Sequence, residues 1–170
     1  EPFDYNGQRR SYPYIKLAYW AGGNPFHHHQ DLLRLTEAFR RLDTFVVHES
    51  AWTATARHAD IVLPATMTLE REDIGCTPTD PLMVAMHRIA PPCGEARDDY
   101  DIFCALAQRM GGLDAFSEGR DTRQWLAHLY GRTQDALASM GLDAPDFETF
   151  WQRGELLLPQ APDDGGMLRA

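Results

Sequence analysis

Tyr14-Ile15-Lys16-Leu17-Ala18-Tyr19-Trp20-Ala21-Gly22-Gly23-Asn24-Pro25 is the stretch that decides the fold. Its first seven residues are β-prone, and Gly-Gly-Asn-Pro then breaks the run, so a strand feeds directly into a loop. Beyond the loop, Leu32, Leu35, Phe39 and Leu42 recur at three- and four-residue spacing. That period predicts an amphipathic helix over 30–41, with Asp31 suited to its first turn because a carboxylate complements the helix dipole there. Thr44-Phe45-Val46-Val47-His48 follows as a nearly all-apolar run of the kind buried on both faces of a parallel sheet. Residues 52–58 supply a short crossover helix, and Asp60-Ile61-Val62-Leu63-Pro64 reads as a third strand closed by proline. Two consecutive crossover units result, and both are expected to be right-handed.

Downstream, residues 65–81 mix charges with Gly and Pro and are expected to form a loop around the sheet edge. Leu82-Met83-Val84-Ala85-Met86 reads as a further strand before the breaker Pro91-Pro92-Cys93-Gly94. Ile102, Phe103, Leu106 and Met110 then form one helical stripe that stops at Gly111-Gly112. Leu126, Leu129, Tyr130, Leu137 and Met140 form a longer one that stops at Gly141. Asp143 and Pro145 open a short helix carrying Phe147, Phe150 and Trp151, and from Leu158 onward a frayed tail is expected. The expected fold class is α/β: a parallel sheet with flanking helices, like a dinucleotide-binding domain, and a helical C-terminal part. A single domain is expected, with its strand and helix core in 1–90, helices in 91–157 and a tail in 158–170.

Composition narrows the function classes. The chain is 44% hydrophobic and 24% charged, as globular domains are. Twenty-five acidic residues against sixteen Lys and Arg give a net charge of −9, which argues against a surface built to neutralise nucleic-acid phosphates. No apolar run approaches the roughly 20 residues that span a bilayer, so no membrane insertion is expected. The three cysteines lack CxxC spacing and are expected to be unpaired, partly buried thiols. Glu1-Pro2-Phe3-Asp4-Tyr5-Asn6-Gly7 reads like mid-protein sequence, so the natural polypeptide is expected to extend beyond both ends.

In open parallel sheets, ligands bind at the carboxyl ends of the strands, where loops and helix amino ends turn amide hydrogens outward. Gly22 and Gly23 allow a backbone to approach a phosphate closely, and Asn24 offers a donor and an acceptor to a ribose or phosphate oxygen. The spacing is not GxGxxG, and the same four residues also suit a plain turn. Glu49, at the end of the second strand, lies where an acidic residue takes ribose hydroxyls; a solvated loop carboxylate is the alternative. Arg57 could grip phosphate through its planar fork or sit in a surface ion pair. Trp20 and Trp52 could stack on a purine, although core packing is the commoner fate. His27, His28 and His29 invite a metal reading. Three adjacent side chains diverge, however, and no HExxH or matched Cys/His pair completes a coordination sphere, so a phosphate contact or packing under the loop is expected instead. Glu70, Glu72 and Asp73 read as a hydrated loop.

Three ordered blocks carry a resemblance: Tyr19-Trp20-Ala21-Gly22-Gly23-Asn24-Pro25-Phe26-His27-His28-His29-Gln30-Asp31, then Val46-Val47-His48-Glu49, then Trp52-Thr53-Ala54-Thr55-Ala56-Arg57-His58-Ala59-Asp60-Ile61-Val62-Leu63-Pro64 with Leu69-Glu70-Arg71 beyond it. On these, the chain resembles the dimethyl sulfoxide reductase family of molybdenum enzymes, which includes the trimethylamine N-oxide and biotin sulfoxide reductases. The likeness is strongest over 2–75 and weaker at 99–103 and 151–159. It implies a segment that holds the guanosine and diphosphate end of one of two molybdopterin guanine dinucleotides. The full-length enzyme's cofactor would then be bis(molybdopterin guanine dinucleotide) molybdenum. Carried over residue by residue, it implies that Gly23, Asn24 and His28 are loop contacts, and that His48 and Glu49 are contacts at the second strand end. Arg57 and Asp60 would be cofactor-side polar groups, with Arg71 and Asp101 as further candidates.

The implied partners are the remaining domains of the parent polypeptide, a small S- or N-oxide and an unassigned electron donor. In the family the molybdenum ligand, typically a serine, lies in an earlier part of the chain that has no match here, so these residues alone are expected not to catalyse. Compartment stays open between bacterial cytoplasm and periplasm, with the cytoplasm preferred. A different class of reading is a free-standing guanine-nucleotide-binding module without redox activity.

Overall fold

In the computed structural model, which describes residues 2–77 and 80–159, the chain opens with a hairpin that its polar sequence did not announce. Strands β1 (Pro2–Tyr5) and β2 (Gln8–Ser11) pair antiparallel across Asn6-Gly7. Both loop residues have positive φ, 50° and 74°, which is the turn whose twist matches a two-residue hairpin. The Gly7 amide donates to Asp4 Oδ1 at 3.0 Å and closes the turn.

The chain gathers into two units, the first being residues up to 65 together with 95–99. Beyond the hairpin, the first unit contains β3 (Leu17–Ala21), α1 (Pro25–His28), α2 (Leu32–Phe39), β4 (Thr44–Glu49), α3 (Ala54–His58) and β5 (Ile61–Pro64). The strands lie parallel in the order β3-β4-β5, as expected from the alternation of strand and helix. Strand β4 is central, and this explains its apolar run: Phe45 is 1% exposed and Val47 0%. Burying a side chain of that size is worth roughly 1.5–3 kcal/mol. Helix α2 is shorter than the spacing predicted; Asp31 caps it by accepting from the Arg34 amide at 3.0 Å. Phe39 at its end stacks on Phe45 at 4.4 Å, which docks the helix on the central strand. Residues 95–99 return alongside β5, where the Arg97 amide donates to the Pro64 carbonyl at 3.0 Å.

The second unit comprises 66–94 and the residues from 100 onward. Residues 65–81, expected as a loop, contain a 3-10 turn at Thr68–Glu70 and strand β6 (Asp73–Thr77). The strand expected at 82–86 is β7 (Asp80–Met86), and it belongs to an antiparallel sheet ordered β6-β7-β8 with β8 (Glu155–Leu157). The expected helices are α4 (Asp99–Arg109), α6 (Thr122–Ser139) and α7 (Phe147–Arg153), with a short α5 (Leu113–Ser117) between the first two. Met83, Leu126, Tyr130, Phe150 and Trp151 form the core of this unit. Tyr130 stacks on Phe150 at 4.5 Å, and its hydroxyl donates to the Pro145 carbonyl at 2.9 Å, so the ring is buried with its polar end satisfied. The expectation of partly buried thiols fits Cys104 alone, since Cys76 and Cys93 are exposed. Of the expected tail, residues 160–170 lie outside the described residues.

Candidate functional site

The register of the parallel sheet sets Ala21, His48 and Leu63 side by side, with Glu49 and Pro64 one step further on. Three chain exits therefore open along one edge. At the first, Gly22 and Gly23 have φ of 84° and 75°, left-handed conformations that cost any other L-residue roughly 1–2 kcal/mol each. A Cβ at Gly23 would meet only Trp20 Nε1 at 3.7 Å, so conformation rather than crowding calls for glycine there. Asn24 precedes α1, and its carbonyl accepts from the His27 and His28 amides, but its side chain makes no capping bond to the helix. Its Oδ1 instead accepts from the hydroxyl of Thr55, a wholly buried residue on α3. Among the described residues, the Asn24 amide NH2 donates to nothing.

At the second exit His48 is buried, its side chain only 1% exposed. Its Nδ1 lies 2.6 Å from Asp99 Oδ1 and its Nε2 2.5 Å from the Tyr19 hydroxyl. A carboxylate can only accept, so Nδ1 carries the proton, and in the neutral ring Nε2 accepts from Tyr19. Burial, and then the negative charge of Asp99, push the Tyr19 pKa above its usual value, which keeps that hydroxyl protonated as the donor. Both ring nitrogens of His48 are thus engaged by protein groups, Asp99 and Tyr19. Neither of these two was singled out from sequence, because the partners lie 29 and 51 residues from His48 and no local pattern links them.

Glu49 is held by its own loop: Oε1 accepts from the Ser50 amide at 3.1 Å and Oε2 from the Thr53 hydroxyl at 2.8 Å. Arg57 folds back along α3, and its Nε donates to the Trp52 carbonyl at 3.2 Å. The rest of its guanidinium makes no bond or ion pair among the described residues, so the ion-pair alternative is not realised there. His28 is exposed at the end of α1.

Asp60 does not join this edge. It precedes β5 at the amino side of the sheet, where Oδ2 accepts from the Phe45 amide at 2.7 Å and its own amide donates back to the Phe45 carbonyl at 2.9 Å. Arg71 and Asp101 belong to the second unit. There Arg71 pairs with Asp73 at 3.1 Å and reaches the Thr66 carbonyl at 3.4 Å, while Asp101 is exposed on α4. Trp52 is 71% exposed, so core packing is not its role among the described residues. Among those residues no three His, Cys, Asp or Glu side chains gather in a group that could hold a metal ion.

A parallel strand-helix-strand unit with glycine, amide, carboxylate and guanidinium groups at its strand ends places the first unit in the class of open α/β folds that bind ligands at that edge. Residues 7–109 match the molybdopterin oxidoreductase family. The chain is 47% identical over 95% of its length to a biotin sulfoxide reductase from Cereibacter sphaeroides, covering 22% of that relative. It is also 46% identical over 92% of its length to a dimethyl sulfoxide/trimethylamine N-oxide reductase from Rhodobacter capsulatus, covering 19% of it. Among solved structures, acetylene hydratase from Pelobacter acetylenicus superposes over 85% of this chain with a TM-score of 0.60 at 21% identity, a likeness of fold. The chain therefore belongs to the molybdopterin oxidoreductase family, in the group of dimethyl sulfoxide, trimethylamine N-oxide and biotin sulfoxide reductases. It spans about a fifth of the length of these relatives, 22% and 19% of the first two.

Proposed function

We propose that this chain is the part of a longer molybdenum S- or N-oxide reductase that grips the guanosine diphosphate end of a molybdopterin guanine dinucleotide. The supporting observation is the strand-end edge, where donors and acceptors of a guanylate's own complement stand without full protein partners. The paired left-handed glycines admit close backbone approach, and the Asn24 NH2 and the Arg57 amino groups beyond Nε, without partners among the described residues, suit phosphate or ribose oxygens. The Glu49 carboxylate, steadied by Thr53 and Ser50, keeps lone pairs for ribose hydroxyls. These groups fit the nucleotide half of the cofactor. When bound, the cofactor supplies two-electron oxygen-atom chemistry, and these residues supply only its grip and orientation. Catalysis then depends on the remaining domains of the parent polypeptide, and these residues alone do not reduce an oxide.

The test is the guanylate content of the intact polypeptide. Acid hydrolysis of purified protein should release GMP, and Asn24→Ala and Glu49→Gln should each lower the yield per polypeptide, whereas a surface change such as Leu33→Gln should not. Equal yields from all three variants would count against the reading, and tight binding of GDP by these 170 residues alone would favour a free-standing nucleotide module.

A further inference from the structure

The protein itself decides which end of the Asn24 amide faces a ligand. Thr55 is 0% exposed, and its hydroxyl is spent on Asn24 Oδ1. The residue is seated firmly: it lies in the first turn of α3, which contacts α1, and its neighbour Ala56 is 2% exposed while Pro25 and Phe26 of α1 are buried. Thr53 caps the same turn, accepting from the Ala56 amide at 3.3 Å while donating to Glu49 at 2.8 Å. Two threonines two positions apart thus hold one polar residue each, Asn24 after β3 and Glu49 at the end of β4, against a single helical turn.

An asparagine amide free to flip offers a ligand either an acceptor or two donors. With its oxygen turned to the buried Thr55 hydroxyl, Asn24 presents its NH2, two donors, at the other end of the amide. We propose that Thr55 is a positioning residue that locks Asn24 as a hydrogen-bond donor, and that the group Asn24 receives is a phosphate oxygen of the bound nucleotide. Phosphate is favoured over the nucleoside because Asn24 directly follows Gly22 and Gly23, whose positive φ and open Cα positions leave room for a phosphate beside the main chain. This inference rests on the nucleotide reading above.

The test compares GDP with guanosine as probes on the intact polypeptide prepared without its molybdenum cofactor. Thr55→Val removes the hydroxyl at nearly constant volume, and Thr55→Ser keeps it. Loss of one oriented hydrogen bond should weaken GDP about tenfold in Thr55→Val, leave guanosine unchanged, and be restored to within about twofold in Thr55→Ser. Asn24→Asp replaces the donor with a second carboxylate oxygen and keeps an acceptor for the Thr55 hydroxyl; it should weaken GDP by more than Thr55→Val does, again sparing guanosine. The inference is overturned if Thr55→Val binds GDP like the wild type, if either variant weakens GDP and guanosine alike, or if Thr55→Ser fails to rescue. Should Thr55→Val not fold, Asn24→Asp decides alone, and unchanged GDP affinity overturns the inference. A wild type that binds neither probe overturns the nucleotide reading itself, and this inference falls with it.

Discussion

Replacing Asp60 separates support of the sheet from contact with the ligand. Its carboxylate accepts the Phe45 amide at 2.7 Å on the central strand, beside a ring only 1% exposed. In Asp60→Ala that amide loses a charge-assisted bond and stays largely shielded from water, a loss of about 2 kcal/mol. Asp60→Asn keeps a neutral acceptor and should lose about half as much. A change of about 2 kcal/mol is roughly a thirtyfold change in an opening equilibrium. Hydrogen exchange in peptides covering 44–49 should therefore accelerate about thirtyfold in Asp60→Ala and about fivefold in Asp60→Asn. GDP affinity should stay within twofold, because Asp60 stands at the amino side of the sheet and the ligand groups at the carboxyl side. Unchanged exchange together with weakened GDP binding would refute this reasoning and return Asp60 to the binding site.

Other substitutions probe the remaining parts of the structure. Gly23→Ala forces an L-residue to φ of 75° and should cost about 1–2 kcal/mol in urea unfolding while also weakening GDP; wild-type behaviour in both would mean the loop has another conformation. Phe150→Ala opens a cavity under Tyr130 in the second unit and should cost about 3–5 kcal/mol by urea unfolding. Burial raises the pKa values of Tyr19 and Tyr130, so the unfolded chain ionises first. The stability they contribute is complete below their ordinary value of 10.0 and is lost as pH rises from there through the raised folded values. The urea midpoint should thus fall as pH climbs past 10, and less steeply in Tyr19→Phe. A midpoint flat up to pH 12 would contradict the burial of both hydroxyls.

What could be read from the sequence followed the reach of local pattern. The apolar run at 44–48 has one good explanation, a strand covered on both faces, and the three- and four-residue spacing of Leu32, Leu35 and Phe39 has another, a helix lying on that strand. Both were legible because each depends on near neighbours. The opening hairpin was not read, although Asn6-Gly7 carries its turn, because the flanking Gln8, Arg9 and Arg10 show no buried face. Strand β6 was hidden for a similar reason: its Asp and Gly residues have weak strand preference and pair with β7 alongside. As candidates for the site, Gly22, Gly23, Asn24 and Glu49 could be named from their places at strand ends. Thr55, Tyr19 and Asp99 could not, since each is linked to a candidate residue only by a bond spanning 29 to 51 positions. Asp60 is the converse case: the family resemblance implied a cofactor-side group, and the structure places its carboxylate on the Phe45 amide at the amino side of the sheet.

A structure of the intact polypeptide loaded with its cofactor addresses the central claim most directly. The guanosine diphosphate end should lie over the carboxyl ends of β3 and β4, with a phosphate oxygen about 3 Å from Asn24 Nδ2 and a ribose hydroxyl about 3 Å from a Glu49 carboxylate oxygen. A guanylate bound elsewhere, with Asn24 and Glu49 facing only water or other protein groups, would contradict it.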